Sequence, residues 1–281
     1  MNAQEAPANG AEVEIARGER FGFGRNWRRF LSVLDERRIQ DAEASLVEML
    51  DVKDLRGQSF LDVGSGSGIF SLAARRLGAT VTSFDYDPES VACTQEVKRR
   101  YFPDDSSWRI EPGSVLDPAF VSRLGSFDIV YAWGVLHHTG AMWSALDSVG
   151  GLVARGGRLF IAIYNDQGRQ SARWLRVKRL YCSGWGGRVL ACATVLPFWI
   201  VRGITSDVLA GRNPLRRYLK PHARGMSLFF DWFDWLGGLP FEVAKPEAIL
   251  KFYRERGFVL LNLITVGGGH ANNEFVFHRA P

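Results

Sequence analysis

Between Ser59 and Tyr164 short apolar runs alternate with helical patterns, and this alternation constrains the fold more than any other feature. "SFLDV", "TVTSFD", "WRIEPG", "FDIVYAW" and "GRLFIAIY" read as strands. Between them "IFSLAARRLG" reads as a helix ended by Gly78, and "PESVACTQEVKRRYF" as a helix with Pro88 in its first turn. Strands separated by helices cannot pair as hairpins, so the pattern predicts a parallel, doubly wound α/β sheet. Near the end "VLLNLITV" and "NEFVFHR" are joined only by the glycine-rich "GGGHAN". Such a short connection predicts a hairpin whose last strand runs antiparallel. His270, within that join, is expected at the surface.

A chain of 281 residues holds one large domain or two small ones. Ile39, Ala42, Leu46 and Leu50 follow Asp35 at helical spacing, whereas residues 1–18 read as loosely attached. The organisation expected is an N-terminal segment with a cap helix (1–57), a core (58–165), a basic and aromatic helical insertion (166–240), and a final helix and hairpin that complete the core (241–281). No apolar stretch resembling a leader peptide opens the chain, and three cysteines without metal-like spacing fit reduced thiols, so a cytoplasmic location is expected.

"FLDVGSGSGIF", residues 60–70, places Gly64, Gly66 and Gly68 at every second position behind Asp62. A dinucleotide loop needs G-x-G-x-x-G or A, and neither register supplies the third small residue. Asp62 would repel a pyrophosphate but can accept a hydrogen bond from an ammonium group. The loop therefore suits a nucleoside that carries an amino acid and no phosphate. Asp85 ends the second strand, where a carboxylate can hold both ribose hydroxyls.

With these residues in place, the sequence resembles the class I S-adenosylmethionine-dependent methyltransferases. "LDVGSGSG", "SFDYDPES", "FDIVYAWGVLHH" and "RGGRLFIAIYN" look like four of their motifs. The layout is nearest to ubiquinone-pathway O-methyltransferases. The resemblance implies a Rossmann-like seven-stranded sheet with an antiparallel last strand, and S-adenosyl-L-methionine as cofactor. It implies that Asp62 lies near the methionine ammonium, and that Gly64, Ser65, Gly66 and Gly68 form the cofactor shelf. Asp85 would hold the ribose, Tyr86 would lie against the adenine, Ser114 and Val115 would flank its edge, and Trp133 would wall the methionine end. Many relatives carry Asp where this chain has Ser114.

Methyl transfer from a sulfonium needs alignment and, for a hydroxyl acceptor, a route for its proton. His137 and His138 follow the fourth strand and are the candidate catalytic bases, with helix capping or core packing as the alternative. Tyr164 and Asn165, at the end of the fifth strand, are candidates for substrate binding. Trp27, beside Asn26 in "FGFGRNWRRF", is expected to close the site from the N-terminal side. No cluster of acids and histidines has metal-like spacing, so a metal-free reaction is expected.

Net charge is +5, unevenly spread. Residues 169–225 hold twelve Lys/Arg and one acid, Asp207, so that segment carries +11 and the remainder −6. Within it, "VLACATVLPFWIV" supplies thirteen uncharged residues between Arg188 and Arg202, and Pro197 is expected to interrupt any helix there. The segment reads as a helical cap, as a lid over an apolar or aromatic acceptor, or as a peripheral membrane contact. The expected activity is O-methylation of a small aromatic or apolar acceptor. N- or C-methylation in a natural-product pathway, RNA methylation by the basic insertion, and a non-catalytic interaction module are the alternatives, with nucleic acid the less favoured partner.

Overall fold

The computed structural model describes residues 8–214, 228–267 and 271–281. His270 and part of the basic insertion, residues 215–227, lie outside them.

Seven strands form one sheet in the order β3-β2-β1-β4-β5-β7-β6. They are β1 (Ser59–Val63), β2 (Thr80–Asp85), β3 (Trp108–Pro112), β4 (Phe127–Trp133), β5 (Val153–Tyr164), β6 (Phe258–Ile264) and β7 (Asn272–Arg279). The first five pair in parallel, and β7 runs antiparallel to both β5 and β6. Both the doubly wound sheet and the reversed last strand follow the sequence pattern. β5 begins at Val153, earlier than the "GRLFIAIY" run.

The central strands are covered on both faces, so their residues are apolar almost throughout. Successive side chains alternate between two cores. Leu61, Val63, Val130, Ala132 and Phe275 join one, with Leu146 of α7 (Met142–Gly151) and Ile249 of a later helix, Pro246–Arg254. Phe60, Ile129, Tyr131, Phe160 and Val276 join the other. That second core is closed by Ile39 and Leu46 of α3 (Glu36–Leu50), Leu72 of α4 (Ile69–Arg76) and Val97 of α5 (Pro88–Tyr101).

Aspartates start three of the helices. Asp35 accepts from the Arg38 amide at 3.0 Å, Asp87 from Glu89 at 2.9 Å, and Asp117 from Ala119 at 2.9 Å at the start of α6 (Pro118–Leu124). Each satisfies an amide that the first helical turn leaves unpaired. Pro88 and Pro118 follow two of these caps, where proline's fixed φ costs nothing.

Two expectations need correction. Residues 8–16 are not loosely attached: Ala8–Ala16 is helix α1, with Ala11 fully buried. Pro197 does not interrupt its segment either. After α8 (Arg169–Cys182), α9 runs unbroken from Trp185 to Leu209 with Pro197 inside it. Packing on one side holds it. Trp199 lies 5.6 Å from both Trp174 of α8 and Trp232 of α10 (Leu228–Gly237). Proline removes one backbone hydrogen bond, and tertiary contacts can outweigh that loss.

Candidate active site

The chain's strand order reverses between β1 and β4, and parallel sheets bind ligands outside the strand ends at such a point. A cleft of about 860 Å³ opens there. Its floor is the β1–α4 loop. Gly64, Gly66 and Gly68 have φ of 71°, 54° and 80°, a region closed to most side chains. A Cβ on Gly64 would meet the Val135 side chain at 2.5 Å, and one on Gly66 would meet Trp27 Nε1 at 3.0 Å. The amides of Gly64 and Ser65 donate to the Phe84 carbonyl at 2.8 and 3.1 Å, pinning the loop to the end of β2. Ser65 Oγ lies 2.8 Å from Thr94 Oγ1 of α5.

Two carboxylates face this loop. Asp62 is almost fully buried and accepts the Ser71 hydroxyl at 2.5 Å. Asp85 accepts the Gly66 amide on one oxygen and the Asp87 amide on the other, each at 2.9 Å. Burial pushes the Asp62 carboxyl up to about 7, and the neighbouring Asp85 charge adds to the shift. Burial likewise pushes Asp85 up to about 6 against its two amide bonds. Negative charge held under mutual repulsion in a low-dielectric wall is a site for a cation.

Of the residues expected to hold cofactor, Asp62, Gly64, Ser65, Gly66, Asp85, Tyr86, Ser114, Val115 and Trp133 all line the cleft. Gly68 does not. It caps α4, and its missing Cβ leaves room for the Thr94 backbone at 2.9 Å. Ser114 Oγ accepts the Leu116 amide at 3.2 Å, so part of its hydrogen-bonding capacity serves its own loop.

The histidines part company. Both belong to the single turn Leu136–His138 behind β4. His138 lines the cleft, and its Nδ1 lies 2.7 Å from the Pro240 carbonyl. A carbonyl only accepts, so Nδ1 carries the proton and Nε2 keeps the lone pair. Burial, and then the Lys178 charge, push His138 down to about 3. His137 is fully enclosed, its ring tilted against Tyr164 at 4.0 Å and His138 at 4.4 Å, and does not line the cleft. Burial pushes it well below the usual imidazole range. Both rings are therefore neutral near pH 7.

Tyr164 and Trp27 line the cleft; Asn165 does not. Asn165 donates to the Gly267 carbonyl at 3.0 Å and accepts from Asn273 at 3.1 Å, tying β5 to the terminal hairpin.

Several lining residues escaped sequence reasoning. Arg20 pairs with Glu14 at 2.6 Å, lies 4.9 Å over the Tyr86 ring, and donates to the His138 carbonyl at 2.9 Å. Tyr86 also donates to Glu14 at 3.2 Å. The N-terminal residues thus form one wall, joined by Phe23 at 5.0 Å from the His138 ring and by Trp27 of α2 (Gly24–Phe30). From the insertion, the Trp235 ring lies tilted against Tyr164 at 5.4 Å. Lys178 is fully buried, donates to the Trp235 carbonyl, and lies 4.8 Å from the Phe241 ring. The aromatic density of "FFDWFDW" was the only signal for Trp235. Nothing in the short α1 sequence marks Glu14.

Residues 61–159 match a family model described as a methyltransferase domain. Over 75 residues the chain is 43% identical to ribosomal protein L11 methyltransferase of Methylococcus capsulatus, covering 26% of each protein. Over 115 residues it is 36% identical to ubiquinone biosynthesis O-methyltransferase of Xanthomonas oryzae, covering 40% of this chain and 45% of that one. The matched span is thus less than half the length of either relative. Among solved structures, magnesium protoporphyrin IX methyltransferase from Synechocystis superposes over 100% of both chains with a TM-score of 0.55 at 14% identity, a likeness of fold. Matched domain, strand order and glycine loop agree: residues 61–159 carry a methyltransferase domain, set in the fold of S-adenosylmethionine-dependent methyltransferases.

Proposed function

We propose that this chain transfers the methyl group of S-adenosylmethionine to a hydroxyl of a small aromatic or apolar acceptor. One observation carries the reading: a single cleft joins the Asp62–Asp85 wall to an aromatic chamber lined by Phe23, Trp133, Tyr164, Trp235 and His138. The first part fits a cation-bearing nucleoside. The second fits a flat, apolar molecule. Asp85 and Asp62 would hold the cofactor's ribose and ammonium, over the backbone of residues 64–66. When bound, the cofactor supplies an electrophilic methyl on a sulfonium.

The chain's own residues then align the nucleophile. Tyr164 and Trp235 offer ring faces to the acceptor. His138 Nε2, with its lone pair fixed by the Pro240 contact, accepts the hydrogen of the acceptor's hydroxyl and so aims an oxygen lone pair at the methyl. As the oxygen–methyl bond forms and the methyl–sulfur bond breaks, the hydroxyl proton is released past Nε2 to water in the cleft; with its pKa near 3, His138 orients the hydroxyl and does not retain that proton. Similarity to an O-methyltransferase over part of the chain supports oxygen as the methylated atom.

Calorimetric titration with S-adenosylmethionine and S-adenosylhomocysteine, with NADH as control, tests the first half. Micromolar binding of both and none of NADH is expected. Transfer of a labelled methyl group to a panel of phenols and quinols tests the second. Label found only on amines, or only on RNA, would overturn oxygen as the target.

A further inference from the structure

The outer face of α9 is not used by the cleft. Read at 100° per residue, Val189, Leu190, Ala193, Pro197, Val201, Ile204 and Val208 fall on one side of the helix, and all are exposed. Phe198, Val201 and Val208 are exposed by 60%, 62% and 60%. Between Gly186 and Val208 the one charged residue at these angles is Asp207, in line with Val189 at the edge of the strip and buried. The strip runs for about 29 Å at the helical rise of about 1.5 Å per residue. A contiguous apolar strip of this size marks an interaction surface.

The helix is long and apolar enough to cross a membrane, with a mean hydropathy of 1.6 over its best window. Its other face argues against crossing. There Ala191 is buried, Trp199 packs between Trp174 and Trp232, and Arg188 lies 5.2 Å over the Tyr181 ring. One side is held by the protein and the other is free, as in a helix that lies in an interface.

Charge selects the occupant. Arg169, Arg173, Arg176 and Arg179 stand exposed on the adjoining α8, and Arg202 borders the apolar strip. Among the described residues no ion pair joins any of these five to an acid. Uncompensated cations beside an apolar strip complement an anionic lipid surface, which offers both phosphate charge and acyl chains. We propose that α9 seats this chain peripherally on anionic bilayers, its outer face at the acyl boundary and the arginines among the headgroups.

The test is vesicle co-sedimentation of the full chain, with phosphatidylcholine alone and with about 30% phosphatidylglycerol added. Partitioning roughly tenfold or more stronger on the anionic vesicles is expected. The F198E/V201E double variant should fall to background. R169Q/R173Q/R176Q should lose most of the preference for anionic lipid. Cofactor titration of each variant reports folding independently, and the bilayer result stands apart from any result on methyl transfer. Failure of the wild-type chain to bind either vesicle would overturn the proposal, as would equal binding to both. So would concentration-dependent dimerisation in sedimentation velocity that V201E abolishes, because the strip would then belong to a second copy.

Discussion

At the scale of single residues, the cleft is organised by two acids and an imidazole whose charge states differ from the ordinary. Asp85 already spends one lone pair on each of two loop amides. Asp85→Asn removes the charge and leaves an amide group facing a backbone donor. Cofactor affinity should weaken by about 1–3 kcal/mol, the scale for hydrogen bonds to a charged group. Calorimetry checks this, and an unchanged Kd would remove Asp85 from the site. His138 makes a different prediction. His138→Ala should lower kcat by about 100-fold, at the low end for such groups, with cofactor Kd within about twofold. In the wild type, kcat should not fall between pH 9 and pH 6 through His138, because its pKa near 3 keeps it neutral throughout. A kcat that drops in acid on a pKa near 6.5 would show that the imidazole is solvated in the working enzyme and loses its accepting lone pair to a proton there.

At the scale of elements, the parallel core was legible because buried strands and capped helices leave strong local marks. Asp62, Asp85 and the glycines sit where strands end, and strand ends can be read from periodicity. Of the wall made by residues 14–27, only Trp27 was legible. The wall's cohesion comes from Arg20, which links Glu14, the Tyr86 ring and the His138 carbonyl, residues as far apart as 118 positions. Nothing local announces such a bond. Pro197 misled for a related reason: its local penalty is real, and the tryptophan packing that outweighs it is tertiary. His137 and His138 were indistinguishable in sequence because adjacent residues of one tight turn point in different directions. Arg20→Ala should free α1 from the mouth of the cleft. Cofactor dissociation should quicken by about tenfold, corresponding to roughly 1.5 kcal/mol for a lost charged hydrogen bond. Stopped-flow displacement by excess S-adenosylhomocysteine measures it; an unaltered off-rate would show that α1 does not retain the cofactor.

At the scale of the whole molecule, buried ionisable groups couple ligand binding to pH. Asp62 and Asp85 are raised in the folded chain, to about 7 and 6, from 3.8. The folded state therefore holds more protons than the unfolded one between about pH 4 and 7, and these two groups make the protein less stable as pH rises through that window. His137 and His138 are lowered, so their contribution runs the other way and falls as pH drops below 6.5. The opposing slopes flatten the stability of the unliganded protein between about pH 4 and 6. A cation bound beside the two aspartates favours their ionised forms and leaves the histidine balance nearly untouched. Cofactor affinity should then climb by up to about a hundredfold per pH unit below 6, where both carboxyls are protonated, by up to about tenfold between 6 and 7, and level off above 7. In thermal melts, the rise in Tm given by S-adenosylmethionine should be small at pH 5 and largest from pH 7 upwards. Asp85→Asn should flatten that dependence, because it removes one titrating group and the charge that helps to raise Asp62. A Tm increment independent of pH from 5 to 8 would mean that the cofactor's positive groups do not meet these carboxylates, and the polarity assigned to the cleft would have to be reversed.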